Sequence, residues 1–338
     1  MIVCYHRSSS LGTLEFCQQK YFLQYNLSFK DKTNKKALMG TIVHKVMQTL
    51  GDKKIAMNNG LKQVEDDETG KTLTLDECDD LKLLNDIAFD YYTSNFPEVD
   101  ITDADRRTCL KWAEKAVAYR DGFLDPRNQD VDATELFFDF EIKKPWAKYS
   151  YELGGEIIEG YLSIKGTVDL ILSQGGDYYE ILDYKTGKRL NWATGEEKTL
   201  ESLQKDTQLL LYYYALKNEY PDREFAVSIY YINSGGLFSL VFDEEDYAKA
   251  EDILKKKFEQ IRNIQNPRLL SKGNRHWKCQ KLCKFSEPWK DTDKSVCQHI
   301  SDEVRKKGVN AVVEEYGDIG KITTYGDGGG RLSEDSKK

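Results

Sequence analysis

The pattern of apolar and polar residues predicts helices towards both ends of the chain and strands in its middle part. Val43, Val46, Met47 and Leu50 repeat at helical spacing, and this periodicity continues through residues 60–130. Strands are predicted at residues 135–142, 156–164, 167–172, 178–184, 225–232 and 237–242, and further helices at about 199–219 and 244–264. This order predicts an α/β protein whose mixed β-sheet is flanked by helices.

The segment GTVDLILSQGGDYYEILDYKTGK is predicted to form a β-hairpin, because its paired glycines allow the positive φ angles of a tight turn. A turn centred near Gly175 places Asp169 opposite Ile181, with Asp183 on the diagonal. Side chains alternate along a strand, so Asp169, Asp183 and Lys185 share one face at one end of the hairpin.

Burying three charged side chains on one face costs free energy unless the charges are paired or bind an ion. A metal ion would balance them, because Asp169 and Asp183 offer hard oxygen ligands to Mg²⁺ or Mn²⁺ and Lys185 is able to hold or activate a water molecule. The alternative is a surface ion pair between Asp183 and Lys185 on an edge strand, which contributes little to stability.

The helical region carries two capping signals. Thr74 and Glu77 form a predicted capping box before one helix, and Thr102 is predicted to cap the next, which runs through Tyr119. This acidic insertion is interpreted as a lid or channel wall, with plain scaffold as the alternative.

Composition indicates a globular protein inside the cell. The chain has 338 residues, 31% of them charged, and a net charge of −8. Its longest apolar run, residues 209–216, is too short to span a bilayer, and a secretory signal is not evident, so we expect a cytoplasmic protein (host cytoplasm if phage-encoded) without a membrane partner. A P-loop motif is also missing, which excludes a motor of this chain's own.

The average charge hides a basic segment near the C-terminal end. Six basic residues follow one another without an intervening Asp or Glu: Arg268, Lys272, Arg275, Lys278, Lys281 and Lys284. Such a segment favours nucleic-acid binding, with a solvated cationic loop as the alternative.

Four of the seven cysteines are candidate metal ligands. Cys279, Cys283 and Cys297 cluster in sequence, and Cys17 follows a Ser-rich helix start, whereas the remaining three are isolated. In an intracellular chain this pattern favours metal ligation over disulfides. Four thiolates suit either a 4Fe–4S cluster or structural Zn²⁺, and their chemistry alone does not decide between the two.

Asp169, a gap of about a dozen residues, and then Asp183-x-Lys185 followed by Thr-Gly resembles the PD-(D/E)XK nuclease superfamily. The match is to its RecB-like branch with an iron–sulfur cluster, and is similar to the CRISPR-associated RecB-like exonucleases and the AddB nuclease domain. The resemblance implies a restriction-endonuclease-like fold. It extends to three further motifs, namely Ser10-x₃-Leu14-x₂-Cys17, Gly40-x₃-His44 and Gln208-x₃-Tyr212.

The resemblance assigns roles to the catalytic residues. His44 joins Asp169 and Asp183 as a metal ligand, and an imidazole suits Mn²⁺ better than Mg²⁺. Lys185 positions the attacking water, while Gln208 and Tyr212 adjoin the active site and the DNA.

The resemblance also implies that Cys17, Cys279, Cys283 and Cys297 bind a 4Fe–4S cluster that clasps the N- and C-terminal segments together. The spacing departs from that of many relatives, which have Cys-x₂-Cys and a shorter final gap. Cys4 and His299 are therefore alternatives to Cys297 as the fourth ligand.

The function implied is a metal-dependent deoxyribonuclease, acting as an exonuclease on single-stranded DNA or DNA ends in replication, recombination or repair. Alternatives are a DNA-binding module that recruits DNA to a helicase or recombinase partner, and a structure-selective or RNA-directed endonuclease. Candidate nucleic-acid contacts are Arg189, Trp192, Lys198, Arg275 and Lys278.

The chain accordingly divides into five segments. They are an N-terminal segment with the first cluster cysteine (1–40), a helical region with His44 and the insertion (41–130), the nuclease core (131–265), a cluster-binding segment (266–300) and a polar, flexible tail (301–338).

Overall fold

The computed structural model describes residues 1–31, 33–190, 195–270 and 276–324. They form two compact units. The central unit contains residues 33–137 and 167–244, and the terminal unit contains residues 1–31, 138–166 and 245–324, in both cases where described.

The helices and strands of the described residues are numbered in chain order. The helices are α1 (Ser8–Phe16), α2 (Gln18–Tyr21), α3 (Lys35–Asn58), α4 (Leu81–Asn95), α5 (Asp103–Val117), α6 (Leu200–Gln204), α7 (Thr207–Glu219), α8 (Glu244–Arg262), α9 (Trp277–Leu282), α10 (Val296–Tyr316) and α11 (Ile319–Thr324). The strands are β1 (Tyr5–His6), β2 (Gln63–Asp66), β3 (Lys71–Thr74), β4 (Val131–Glu141), β5 (Lys148–Leu153), β6 (Glu156–Tyr161), β7 (Ser163–Ser173), β8 (Tyr178–Lys185), β9 (Glu224–Tyr231) and β10 (Gly236–Val241).

The central unit contains the predicted mixed sheet. β7 pairs antiparallel with β8, β8 pairs parallel with β9, and β9 pairs antiparallel with β10. Strand β8 is buried on both faces from Ile181 through Tyr184, as is typical of a strand inside a sheet that is covered on both sides. Helices α3, α4 and α5 share one apolar core with these strands, in which Ile42, Val46 and Leu50 are fully buried.

The hairpin register differs from the prediction by two residues. Ile171, and not Asp169, lies opposite Ile181. The turn is centred one residue later because Gly175 and Gly176 both take positive φ, and Tyr178 donates its N–H to the carbonyl of Gly175. A shift of two residues leaves every side chain on its predicted face.

Two predicted elements are each divided in the structure. The helix expected at about 199–219 is α6 and α7, because Asp206 caps a new helix by accepting the N–H of Gln208. The strand expected at 156–164 ends at Tyr161, and β7 begins at Ser163.

The capping predictions have mixed outcomes. Thr102 caps α5 through the reciprocal bonds of a capping box with Asp105, as predicted, although the helix ends at Val117. Thr74 and Glu77 form the predicted hydrogen bonds, but α4 begins later and is capped by Asp80.

The terminal unit combines segments that are distant in sequence. β1 runs parallel to the start of β7, with Tyr5 opposite Ser163, and β5 forms a hairpin with β6. The segment predicted to be a polar, flexible tail from residue 301 contains most of α10 and the whole of α11. α10 continues to Tyr316 because its apolar face, including Val312 and Val313, is buried. Residues 325–338 lie outside the described part.

No helix in the described part of the chain is both long enough and apolar enough for a membrane crossing.

Candidate active site

The β7–β8 hairpin brings three charged residues together at the end of the strands. The backbone N–H of Tyr184 donates to Asp169 Oδ2 at 2.7 Å, which holds that carboxylate against β8. Lys185 Nζ lies 2.5 Å from Asp183 Oδ2, and the Asp183 side chain is only 2% exposed. The ion pair expected between Asp183 and Lys185 is therefore present, but it is buried at the carboxylate and is not a surface pair.

His44 reaches this hairpin from α3. Its Nδ1 lies 3.4 Å from Asp169 Oδ2, and its ring contacts the ring of Tyr184 edge to face, with centroids 6.4 Å apart. One helical turn earlier, a Cβ on Gly40 would lie 3.0 Å from Thr186 Oγ1. Gly40 therefore allows α3 to approach the turn after β8, which gives a structural reason for the glycine in Gly40-x₃-His44.

Glu135 completes a group that the sequence interpretation missed. One ligand atom each from His44, Glu135 and Asp169 all lie within 4.8 Å of one another. Glu135 has φ of +42° in the middle of β4, a left-handed conformation that interrupts the alternation of the strand and redirects its side chain. Glu141, the other glutamate of β4, lies at the end of the strand and is exposed.

A signal for Glu135 exists in the sequence. Apolar residues occupy odd positions at Val131 and Ala133 but even positions at Phe138, Phe140 and Ile142. Such a change of phase within one strand is typical of a bulge, and bulges are common next to active sites.

The electrostatics of the group favour a cation. Burial lowers the pKa of His44, but the Asp169 carboxylate outweighs it and raises the pKa to about 9. Burial and the charge of Asp169 raise the pKa of Glu135 to about 7. Burial likewise raises the pKa of Asp183 in spite of Lys185. Carboxylates that are held so unfavourably would be stabilised by a divalent ion.

The donor set fits Mg²⁺ or Mn²⁺. Two carboxylates supply hard oxygen ligands, and the imidazole of His44 supplies a nitrogen that suits Mn²⁺. Asp183 is not part of the compact group, because its carboxylate is held by Lys185 and by Gln208.

Helix α7 supports the site through Gln208 and Tyr212. Gln208 Nε2 donates to Asp183 Oδ1 at 3.0 Å and to the Tyr212 hydroxyl at 2.6 Å. The spacing of four residues places both side chains on one helix face, as expected from the sequence. Tyr212 itself is buried, with 6% exposure.

The predicted nucleic-acid contacts occupy different environments. Arg189 is ion-paired with Glu197, and its guanidinium lies 4.5 Å from the ring centroid of Phe238. Lys198 pairs with Asp206 at 2.6 Å. Lys278 lies on α9, and Trp192 and Arg275 lie outside the described residues.

The four predicted cluster cysteines line one cavity in the terminal unit. Cys17, Cys279, Cys283 and Cys297 all contribute to its wall. None of the four forms a disulfide within the described part of the chain. Burial raises the pKa of Cys297, and the neighbouring Cys17 and Cys279 raise it further, as expected for thiols that face one another.

The two alternative ligands lie in other surroundings. Cys4 is buried beside Tyr149, and burial raises its pKa to about 12. The ring of His299 stacks on Trp289 with centroids 4.9 Å apart. Soft thiolates suit iron–sulfur clusters and zinc, so the cavity fits either group.

Comparison with known proteins identifies the family. Residues 8–287 match the family model of the PD-(D/E)XK nuclease superfamily, so the chain belongs to this superfamily of phosphodiester hydrolases that use divalent metals. The chain is also similar to the crystal structure of a "Putative exonuclease" from Eubacterium rectale, with 11% identity, a TM-score of 0.46, and coverage of 85% of this chain and 91% of that chain. No curated protein matches the chain.

Proposed function

We propose that this nuclease is a RecB-like, metal-dependent deoxyribonuclease. It acts as an exonuclease on single-stranded DNA or DNA ends in replication, recombination or repair, alone or with a helicase or recombinase partner. The observation that carries the proposal is the convergence of His44, Glu135 and Asp169 beside the buried Asp183–Lys185 pair. The acidic group, the imidazole and the lysine supply the functions that phosphodiester hydrolysis requires.

In this proposal His44, Asp169 and Asp183 hold the metal, with Asp183 joining the compact group from its place beside Lys185, and Glu135 adds a fourth ligand. A bound Mg²⁺ or Mn²⁺ supplies positive charge that lowers the pKa of a water molecule and offsets charge on the phosphate. Lys185 orients the attacking water and donates towards the phosphate oxygens. Gln208 fixes the Asp183 carboxylate, and with Tyr212 it orients the strand.

The test is degradation of 5′-labelled and 3′-labelled single-stranded and duplex DNA with Mg²⁺, with Mn²⁺ and with chelator. Lys185→Ala is expected to abolish cleavage and to leave DNA binding within a few fold. Lys188→Ala is the matched control, since Lys188 is exposed three residues further along the chain. The polarity of the products distinguishes the two exonuclease directions.

Cleavage retained by Lys185→Ala would refute the assignment. Tight DNA binding by a wild-type protein that cleaves none of these substrates would instead favour the recruitment module.

We further propose that Cys17, Cys279, Cys283 and Cys297 bind a 4Fe–4S cluster, with structural Zn²⁺ as the alternative. Support comes from the shared cavity and from the agreement between these positions and the cysteine pattern of the RecB-like branch. Protein purified without oxygen is expected to contain about four iron atoms per chain and to absorb light at about 400 nm. Colourless protein with one zinc would replace the cluster assignment.

The identity of the fourth ligand has its own control. Cys297→Ser is expected to lose metal, whereas Cys4→Ser is expected to retain it. The opposite result would make Cys4 the ligand.

A further inference from the structure

Helix α9 has two opposite faces with different chemistry. Cys279, on the helix, and Cys283, which follows it, are four residues apart and both line the cysteine cavity. Trp277 and Lys281 are also four residues apart, and both are exposed. Positions separated by two residues lie on roughly opposite sides of a helix, so the Trp277 and Lys281 side faces away from the sulfur atoms.

The indole on this face is exposed. Trp277 has 55% of its surface accessible, and Leu282 at the end of the helix has 42%. An indole offers a large flat apolar area that a second ring can cover by stacking. A single flat ring is too small for a protein-sized apolar interface and matches the area of one nucleic-acid base.

Positive charge surrounds the indole. Lys278 Nζ lies 5.9 Å from the Trp277 ring centroid and 5.8 Å from that of Phe16. Lys281 and Lys284 are exposed on the same stretch. Within the described residues neither Lys278 nor Lys281 forms an ion pair with a carboxylate, so their charges are available to an anion.

Acidic residues are scarce nearby. Residues 260–286 contain no Asp or Glu, although the molecule as a whole is acidic. Asp31 contacts this segment, and its carboxylate is already engaged by Lys20 at 2.5 Å and by the N–H of Lys284. The local field is therefore positive.

We propose that the exposed side of α9, with Trp277, Lys278 and Lys281, binds single-stranded nucleic acid together with Lys284, which follows the helix. A base stacks on Trp277, and the lysines contact the flanking phosphates. An unpaired strand fits best because its bases are free to stack on an aromatic side chain, whereas the bases of a duplex are already stacked on one another. This inference rests on the proposed function, because it assigns an additional contact for the same class of substrate.

The test measures binding of a labelled 20-nucleotide oligo-dT by fluorescence anisotropy, with all variants in the Lys185→Ala background so that the strand stays intact without a chelator. Trp277→Ala is expected to bind about 5- to 150-fold more weakly, the range for loss of one base–aromatic stack. Trp277→Phe is expected to retain most of the affinity. Lys281→Glu is expected to flatten the dependence of log Kd on log salt by roughly 0.7, the value for one phosphate contact on a single strand.

Two control variants are matched in chemistry and exposure. Lys255→Glu makes the same charge change at an exposed position of α8. Tyr178→Ala removes an aromatic ring that is 50% exposed. Neither control is expected to change binding by more than twofold. Circular dichroism melting of every variant separates loss of binding from loss of folding, and Lys281→Glu provides the test if Trp277→Ala fails to fold.

The possible failures are distinguishable. If the wild-type protein cleaves DNA while Trp277→Ala and Lys281→Glu bind oligo-dT with unchanged affinity and salt dependence, the inference fails and the proposed function stands. If the wild-type protein neither binds nor cleaves DNA, both fail. Binding of anionic phospholipid vesicles, with no oligo-dT binding that depends on Trp277, would also overturn the inference.

Discussion

Gly51 offers a sharp test of how the central unit positions its acidic residues. Gly51 is a buried residue of α3, and a Cβ added there would lie 2.5 Å from Thr134 Cγ2 and 3.1 Å from Leu170 Cδ1. Thr134 directly precedes Glu135, and Leu170 directly follows Asp169. Gly51→Ala is therefore expected to displace the two strand positions that carry the acidic metal ligands.

Two opposing contributions determine the expected change in the free energy of unfolding. Alanine in place of glycine inside a helix contributes about 1 kcal/mol of stability. Forcing an extra methyl group into a packed core costs about 1–3 kcal/mol. The net expectation is a loss of up to about 2 kcal/mol in the free energy of unfolding, together with Mn²⁺ affinity at least about tenfold weaker because ligand orientation is disturbed.

Urea unfolding and calorimetric Mn²⁺ titration measure the two effects. Gly12→Ala is the matched control, because Gly12 lies inside α1 and a Cβ there meets no atom within 4 Å. It is expected to gain about 0.5–1 kcal/mol. Adding Thr134→Ser to Gly51→Ala removes the clashing methyl group and keeps the hydroxyl, so it should restore stability and metal binding. Our reasoning is refuted if Gly51→Ala is as stabilising as Gly12→Ala and Mn²⁺ affinity is unchanged.

Three further predictions concern single residues. Burial lowers the pKa of His6 in the folded chain to about 3. Below pH of about 6.5 the unfolded chain therefore takes up a proton that the folded chain does not, and the free energy of unfolding decreases as the pH is lowered. Between pH 7.5 and pH 5 this loss is about 2 kcal/mol, and urea unfolding of His6→Gln should lack that component; an unchanged pH profile would contradict it. Glu135→Gln should weaken calorimetric Mn²⁺ binding at least about tenfold without lowering the melting temperature, because the charged carboxylate is disfavoured by burial; equal affinity would exclude Glu135 as a ligand. Gln208→Leu should lower kcat more than Mn²⁺ affinity, because it removes the hydrogen bond to Asp183 but no group of the compact ligand set; a loss confined to metal binding would contradict this role.

The sequence was most informative where the determining interactions are local. Asp169, Asp183 and Lys185 could be placed on one face because a hairpin joins neighbours in sequence and strand side chains alternate. The error of two residues in register arose in the turn, where either glycine could occupy the centre. The error did not change the predicted face of any side chain, since side chains alternate along a strand with a period of two residues.

Glu135 escaped prediction for a physical reason. Its left-handed backbone conformation changes which face the following residues occupy, and alternation alone assumes that no such change occurs. The group formed with His44 also requires α3 to meet β4, and no local pattern specifies that contact. The resemblance of short motifs, by contrast, led to His44 and Gln208.

The interleaved order of the two units has a consequence for biosynthesis. The described residues of the central unit have all been made once synthesis reaches residue 244, but the wall of the cysteine cavity needs Cys297. At typical translation speeds about 3–10 s separate these two events. During that interval Cys17 and the apolar side chains of the first segment lack the later residues of the terminal unit against which they pack. A chain released after residue 244 and before residue 279 would therefore contain the residues of the candidate active site but none of the three cysteines that line the cavity with Cys17.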